Sequence, residues 1–205
     1  MAEVKVLIEG VHKVVDKEKL RLKISSTVTL IKSDKNILVD TGSFLDKEKI
    51  IDELKKENLT PENINIVILT HLHLDHTVNA YLFKNARIFC KFCNHNKTYP
   101  GQFHIPKEGL IKRTEINDNI KIAEDVNFLL TPGHTPDSIS VVVNIDKGKV
   151  VIAGDAFPSE AFLDLGKEPL HDLVDIKSFN ESRNKILKIA DYIIPGHGNI
   201  FKVKK

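Results

Sequence analysis

An α+β fold is predicted by three features of this 205-residue sequence. Short apolar or alternating segments at 4–8, 20–24, 27–31 and 37–39, joined by short turns, fill the first forty residues and read as antiparallel strands. Two longer segments, 46–58 and 176–190, carry apolar residues at helical spacing. Further strand-like runs at 64–69, 87–90, 126–130, 140–145, 150–153, 192–194 and 200–203 complete the pattern. The length fits a single domain over residues 1–205, or one domain with insertions. No internal repeat, linker or low-complexity segment is evident.

The strand at 4–8 alternates apolar and polar residues, as a half-buried strand does. A turn cluster at 33–36 precedes the buried run Ile37-Leu38-Val39, which ends in Asp40-Thr41-Gly42. Asp40 fits a turn former and a hydrogen-bond acceptor for a metal-bound histidine equally well. Asp46 can cap the first helix, whose Ile50, Ile51 and Leu54 share a face. Thr60-Pro61-Glu62 breaks the chain before the strand at 64–69. A short helix is expected over 76–84, with Val78, Leu82 and Phe83 facing inward. Asp146-Lys147-Gly148-Lys149 joins two strands, the second ending in Ala153-Gly154-Asp155. Residues 156–175 read as an acidic loop. In the final helix Ile176, Phe179, Arg183, Ile186, Leu187 and Ala190 fall on one side, and Lys185 and Lys188 near its end suit the helix dipole.

Composition excludes few functions. The hydrophobic share of 41% and charged share of 28% are those of a soluble globular protein able to bury its own core. A formal net charge of +2 advertises no nucleic acid and does not exclude one. Most basic residues are Lys; only Arg21, Arg87, Arg113 and Arg183 are Arg, which favours solvated surface over a built phosphate clamp. Residues 91–113 interleave basic and aromatic side chains. This is a pattern suited to stacking and neutralising a nucleotide chain, although a solvated loop with a few tucked aromatics is favoured slightly. Cys90 and Cys93 lack the further ligands of a zinc site and read as reduced thiols, at a strand end and in a loop. With no signal pattern or membrane-length run, the protein is expected in the cytoplasm.

The chemistry concentrates where strands end. Thr70-His71-Leu72-His73-Leu74-Asp75-His76 follows the apolar run 64–69 and crowds four ligand-type side chains into six residues. His71 and His73, at alternating spacing, can reach one metal from extended chain; Asp75 and His76 lie one turn further on, where a second metal could be held. Thr131-Pro132-Gly133-His134-Thr135-Pro136 fixes His134 in a loop of restricted path. Asp155 ends a strand, and His197 follows in Pro195-Gly196-His197-Gly198. His12, His95, His104 and His171 have no such context. Imidazole and carboxylate together suit zinc, iron or manganese.

His71-x-His73-x-Asp75-His76, then Pro-Gly-His134, Asp155 after an apolar strand and His197 in Pro-Gly-His-Gly resemble the metallo-beta-lactamase superfamily over nearly the whole chain. Asp40 matches its first motif. The resemblance implies a four-layer αβ/βα sandwich of two mixed sheets flanked by helices, with metals at one edge between the sheets. It implies two divalent ions, zinc in the first place and iron or manganese as alternatives. His71, His73 and His134 would hold one ion; Asp75, His76 and His197 would hold the other. Asp155 would bridge them, and a hydroxide between the metals, oriented by Asp75 as catalytic residue, would be the nucleophile.

Departures narrow the expectation. Class B lactamases place Cys or Ser where Asp155 stands. Eight residues follow His197 and about forty separate it from Asp155. Neither the helical domain of glyoxalase II nor the inserted domain of the large RNA-processing members is therefore expected. His73 argues against flavodiiron proteins. A closer resemblance runs through Thr131-Pro132-Gly133-His134, Val151-Ile152-Ala153-Gly154-Asp155-Ala156-Phe157 and Ala190-Asp191-Tyr192-Ile193-Ile194-Pro195-Gly196-His197-Gly198, to the metallo-beta-lactamase domain-containing protein 1 family. It implies a compact dinuclear phosphodiesterase with endoribonuclease activity. The alternatives are hydrolysis of a small thioester, ester or lactone, which the acidic 156–175 segment fits better, and mononuclear iron oxygenation of a thiol. A scaffold need not keep seven ligand groups. The partners expected are RNA or a small ester or thioester, with no membrane and a homodimer as one option for assembly.

Overall fold

The structure is a computed structural model that describes residues 1–16, 18, 21–91, 121–169 and 174–204. Its strands, in chain order, are β1 (Glu3–Ile8), β2 (Val11–Asp16), β3 (Arg21–Ser25), β4 (Val28–Lys32), β5 (Asn36–Val39), β6 (Ile66–Ile68) and β7 (Arg87–Phe89), then β8 (Lys121–Ala123), β9 (Val126–Leu130), β10 (Ile139–Ile145), β11 (Gly148–Gly154), β12 (Tyr192–Pro195) and β13 (Phe201–Lys202). The α-helices are α1 (Lys47–Lys56), the single turn α2 (Leu74–Thr77) and α3 (Ile176–Ile189). None of the described helices is long and apolar enough to cross a membrane.

Two mixed sheets form the centre. One runs β1-β4-β5-β6-β7 and the other β13-β12-β11-β10-β9-β8, while β2 and β3 make a separate hairpin. The β5–β6, β6–β7 and β11–β12 pairs are parallel, and the other pairs are antiparallel. Parallel neighbours need a crossover: α1 lies between β5 and β6 in the chain, and α3 between β11 and β12.

Period-2 alternation sorts each strand's side chains into layers. Ile37 and Val39 of β5, Ile66 and Ile68 of β6, and Val150 and Ile152 of β11 meet in the core between the sheets. Leu38 and Val67 point the other way and pack with Ile50 and Leu54 of α1. Val151, Ala153 and Ile193 face Phe179 and Ile186 of α3. The result is helix, sheet, sheet, helix, which is the sandwich that the sequence motifs imply.

Several sequence expectations need correction. Segment 11–16 is a strand, although most of its residues are exposed and only its pairing with β3 reveals it. The helix expected over 76–84 is instead α2 and a 3-10 turn at Ala80–Leu82. Of its three inward residues only Phe83 is fully buried; Val78 and Leu82 are half-buried. Asp46 starts α1 without capping it through its side chain. Its carboxylate accepts instead from Ser43 N (2.8 Å), Ser43 Oγ (2.6 Å) and Ser25 Oγ (2.5 Å), tying the loop before α1 to β3. The acidic segment contains a 3-10 turn at Glu160–Leu163. Cys90 is half-buried just past β7, and burial, with the Asp137 carboxylate adding to it, pushes its thiol up to about 12, the state of an inert thiol. Cys93, His95, His104 and the basic segment beyond residue 91, together with His171, lie outside the described residues.

Arg183 explains how the segment after Asp155 is held. It is fully buried on α3, between the rings of Phe162 and Phe179. Its guanidinium donates to the carbonyls of Phe162 (2.9 Å), Asp164 (3.0 Å) and Leu165 (2.8 Å), and to Asn180 Oδ1. Arg183→Met keeps the apolar contact and strands these carbonyls. We expect it to lower stability by about 3 kcal/mol, the order for unpaired buried polar groups, measured as a lower urea midpoint at unchanged slope.

Candidate metal centre

All seven residues singled out in the sequence converge at one edge of the sandwich. They arrive from the C-terminal ends of strands: His71, His73, Asp75 and His76 after β6, His134 after β9, Asp155 after β11 and His197 after β12. In open α/β sheets this is the edge where ligands bind. Here both sheets deliver residues to it, because β6 and β11 face each other across the inter-sheet core.

The seven fall into two groups, each with one ligand atom per residue within 4.8 Å of the others: His71, His73, His134 and Asp155, and Asp75, His76 and His197. In the first, His73 Nδ1 lies 2.9 Å from His71 Nε2 and 3.1 Å from His134 Nε2. In the second, Asp75 Oδ2 lies 3.6 Å from His76 Nε2 and 3.8 Å from His197 Nε2. Asp155 spans both groups. Its Oδ2 is 3.3 Å from His134 Nε2 and 3.4 Å from His197 Nε2, and its Oδ1 is 3.5 Å from His76 Nε2.

Backbone geometry forces this convergence. Asp40 takes a left-handed conformation (φ 58°) at the end of β5, and its carboxylate turns back over the start of the histidine segment. It accepts from Thr70 N and Thr70 Oγ1, both at 2.8 Å, and faces His76 Nδ1 at 2.8 Å. That contact leaves His76 Nε2 as the atom turned to the centre. On the other side, Ser25 O lies 2.9 Å from His197 Nδ1 and does the same for His197. The His134 loop is clamped by α3: Asp175 N donates to Gly133 O (3.0 Å) and Ser182 Oγ to Pro132 O (2.6 Å). Gly196 is required by contact alone, since a Cβ there would lie 1.8 Å from Asp155 Oδ1.

Sequence reasoning anticipated Asp40 as one of two options and missed the rest of this support. Thr70, Ser25 and Gly196 carry no ligand chemistry of their own. Only the position of Thr70 directly before His71, and the glycine directly before His197, signalled them.

The donor set fits cations. His76 Nε2 and Asp155 Oδ1 are buried and make no hydrogen bond among the described residues. His73 Nδ1 faces two other imidazole nitrogens at hydrogen-bond distance and could donate a single proton to only one of them, whereas a cation serves all three. Burial holds His71 well below the usual imidazole range, helped by the neighbouring His76. Burial would depress His76 too, but the carboxylates of Asp40 and Asp155 outweigh it and hold His76 well above that range. Against its own burial, Asp155 is kept well below the carboxylate range by His76 and His197. Carboxylates thus demand positive charge at the same point where His71 refuses a proton. Five imidazoles and two carboxylates are a donor set for zinc, iron or manganese.

Comparison with known proteins agrees. Residues 22–197 match the Metallo-beta-lactamase superfamily. The chain is 33% identical over 203 residues to metallo-beta-lactamase domain-containing protein 1 of Xenopus laevis, a match covering 98% of this chain and 82% of that protein. It spans 63% of the length of the Rattus norvegicus protein of the same name. It is 35% identical over 174 residues to a probable metallo-hydrolase of Methanocaldococcus jannaschii, over 82% of this chain and 74% of that one. A crystal structure of a metallo-beta-lactamase fold protein from Thermotoga maritima superposes with a TM-score of 0.72 at 22% identity, over 98% of this chain and 99% of that one. The chain belongs to the metallo-beta-lactamase superfamily, as a hydrolase of that fold.

Proposed function

We propose that the chain is a dinuclear metal-dependent hydrolase. The observation that carries this reading is the division of seven donors into two groups joined by Asp155. His71, His73 and His134 would hold one cation and Asp75, His76 and His197 the other, with Asp155 within reach of both. Two such ions supply a water of lowered pKa as nucleophile and stabilise the negative oxygen that develops during attack.

The chain's own residues do the rest. Asp75 is the less buried of the two carboxylates, and its Oδ2 reaches both imidazoles of its group. It is placed to accept a hydrogen bond from the attacking water and to orient it. Asp40 and the Ser25 carbonyl hold His76 and His197 in one ring orientation, so those donors need no rearrangement. Zinc is the first expectation for both positions, with iron or manganese as alternatives.

Substrate class rests on the surroundings. Leu74, beside Asp75 in the chain, is 59% exposed. An exposed apolar side chain next to the centre favours a neutral ester, thioester or lactone with an apolar part. The endoribonuclease reading is carried by the basic and aromatic residues of 91–113 and by the resemblance to the domain-containing protein 1 family. Both readings use the same centre. The zinc-loaded protein, offered labelled single-stranded RNA and p-nitrophenyl esters with Asp75→Ala as control, distinguishes them. Turnover of either class that falls by about 100-fold or more in the variant supports the centre. Turnover of neither, with zinc, iron or manganese, overturns the hydrolase reading.

Two further outcomes follow from the geometry. Asp40→Ala removes the partner of His76 Nδ1 and is expected to weaken zinc binding by about 10- to 100-fold, read by chelator competition. Gly196→Ala drives Asp155 out of place and is expected to leave a folded chain holding less than two zinc ions, read by metal analysis beside circular dichroism.

A further inference from the structure

β1 ends its sheet: among the described residues it pairs with β4 alone. A strand in that position shows a row of N–H and C=O groups that another chain can extend. The register with β4 shifts between Val6 and Ile8, so residues 3–6 are the straight part of this edge. Its side chains sort by period 2. Val4 and Val6 are half-buried against the core between the sheets. Glu3 and Lys5 are exposed on the other face, beside the end of α1. There Lys5 Nζ reaches the Glu57 carboxylate, and Lys32 Nζ donates to it at 2.6 Å. Lys5 and Lys32 thus share one carboxylate, and the Lys5 side chain remains 45% exposed.

Charge of one sign keeps a sheet edge single, because a second copy then brings no opposite charge to it. The other ends of the two large sheets follow that rule. Their strands β7, β8 and β13 carry Arg87, Lys121 and Lys202 and no acid. β1 departs from it. Glu3-Val4-Lys5 carries opposite signs two residues apart, and that spacing matches itself. In an antiparallel pair of β1 strands with the dyad at Val4, Glu3 of each copy lies opposite Lys5 of the other. A dyad at Glu3 or at Lys5 sets like charges together, as does an in-register parallel pair.

We propose that the chain forms a homodimer through β1, antiparallel about Val4, which makes the five-stranded sheets of two copies continuous. Glu3 and Lys5 fix the register. Val4 and Val6 of the two copies meet and close the half-open end of each core. With the dyad normal to the sheet, both α1 helices stay on one side of it. An interface built on one short strand lies at the small end of specific interfaces, so the dimer is weak and depends on concentration. It is independent of the hydrolase reading.

Sedimentation equilibrium of the full chain tests this. The mass is expected to rise from 23.1 kDa toward twice that value with concentration, followed up to about 200 μM to capture a weak dimer. Glu3→Lys should weaken the dimer by about tenfold, because the dyad repeats each reversed pair. Glu181→Lys, the same change on the exposed face of α3, should leave it unaltered. Mixing the Glu3→Lys chain with the Lys5→Glu chain should restore association, since one strand then carries two cations and the other two acids. Circular dichroism checks each variant, because Lys5→Glu sets an acid beside Glu57. Hydrogen exchange needs no variant: amides of residues 3–6 in the native chain should exchange more slowly at high concentration than at low. A monomer throughout, a dimer that Glu3→Lys leaves unchanged, or a dimer without protection of residues 3–6 overturns the proposal. So does a mixture of the two folded variants that stays monomeric.

Discussion

One buried carboxylate, Asp40, holds the architecture and the chemistry together. It ends β5 in a left-handed conformation and meets Thr70 N, Thr70 Oγ1 and His76 Nδ1, all at 2.8 Å. The first contact joins the ends of two parallel strands. The second fixes the hydroxyl directly before the first histidine. The third selects which nitrogen of His76 faces the centre. A buried carboxylate with one side unpaired would be costly, so the turn out of β5, the histidine segment and the centre stand or fall together.

The sandwich exists to make this edge rigid. Five imidazoles and two carboxylates crowd together only where positive charge is shared among them, and a stiff frame holds them at 3 to 4 Å. The frame comes from strands buried on both faces: Val39 and Ile68 toward the opposite sheet, Leu38 and Val67 toward α1. On the far side, α3 clamps the His134 loop through Asp175 and Ser182 and anchors the segment after Asp155 through Arg183. Helices remote from the chemistry thus set the position of its ligands.

Much of this was legible in the sequence, for physical reasons. Strands such as 4–8 show because a half-buried strand leaves alternation in the residues, and α3 shows because one of its faces packs on a sheet. The ligand residues show because few other roles put histidine at the end of an apolar strand. What was not legible depends on pairing or contact rather than on residue type. β2 is a strand because β3 lies beside it, while its own residues are mostly exposed. The 76–84 segment breaks after one helical turn because the carbonyl of His76 is taken by Thr41 N and Oγ1. Asp46 looks like a helix cap, yet two serines hold its carboxylate.

Anomalous diffraction from crystals of the zinc-loaded chain, recorded on both sides of the zinc edge, addresses the central claim most directly. The account predicts two anomalous peaks, one among His71, His73 and His134 and one among Asp75, His76 and His197, with Asp155 touching both. A single fully occupied peak under zinc excess, or two peaks with Asp155 bound to neither, would contradict it.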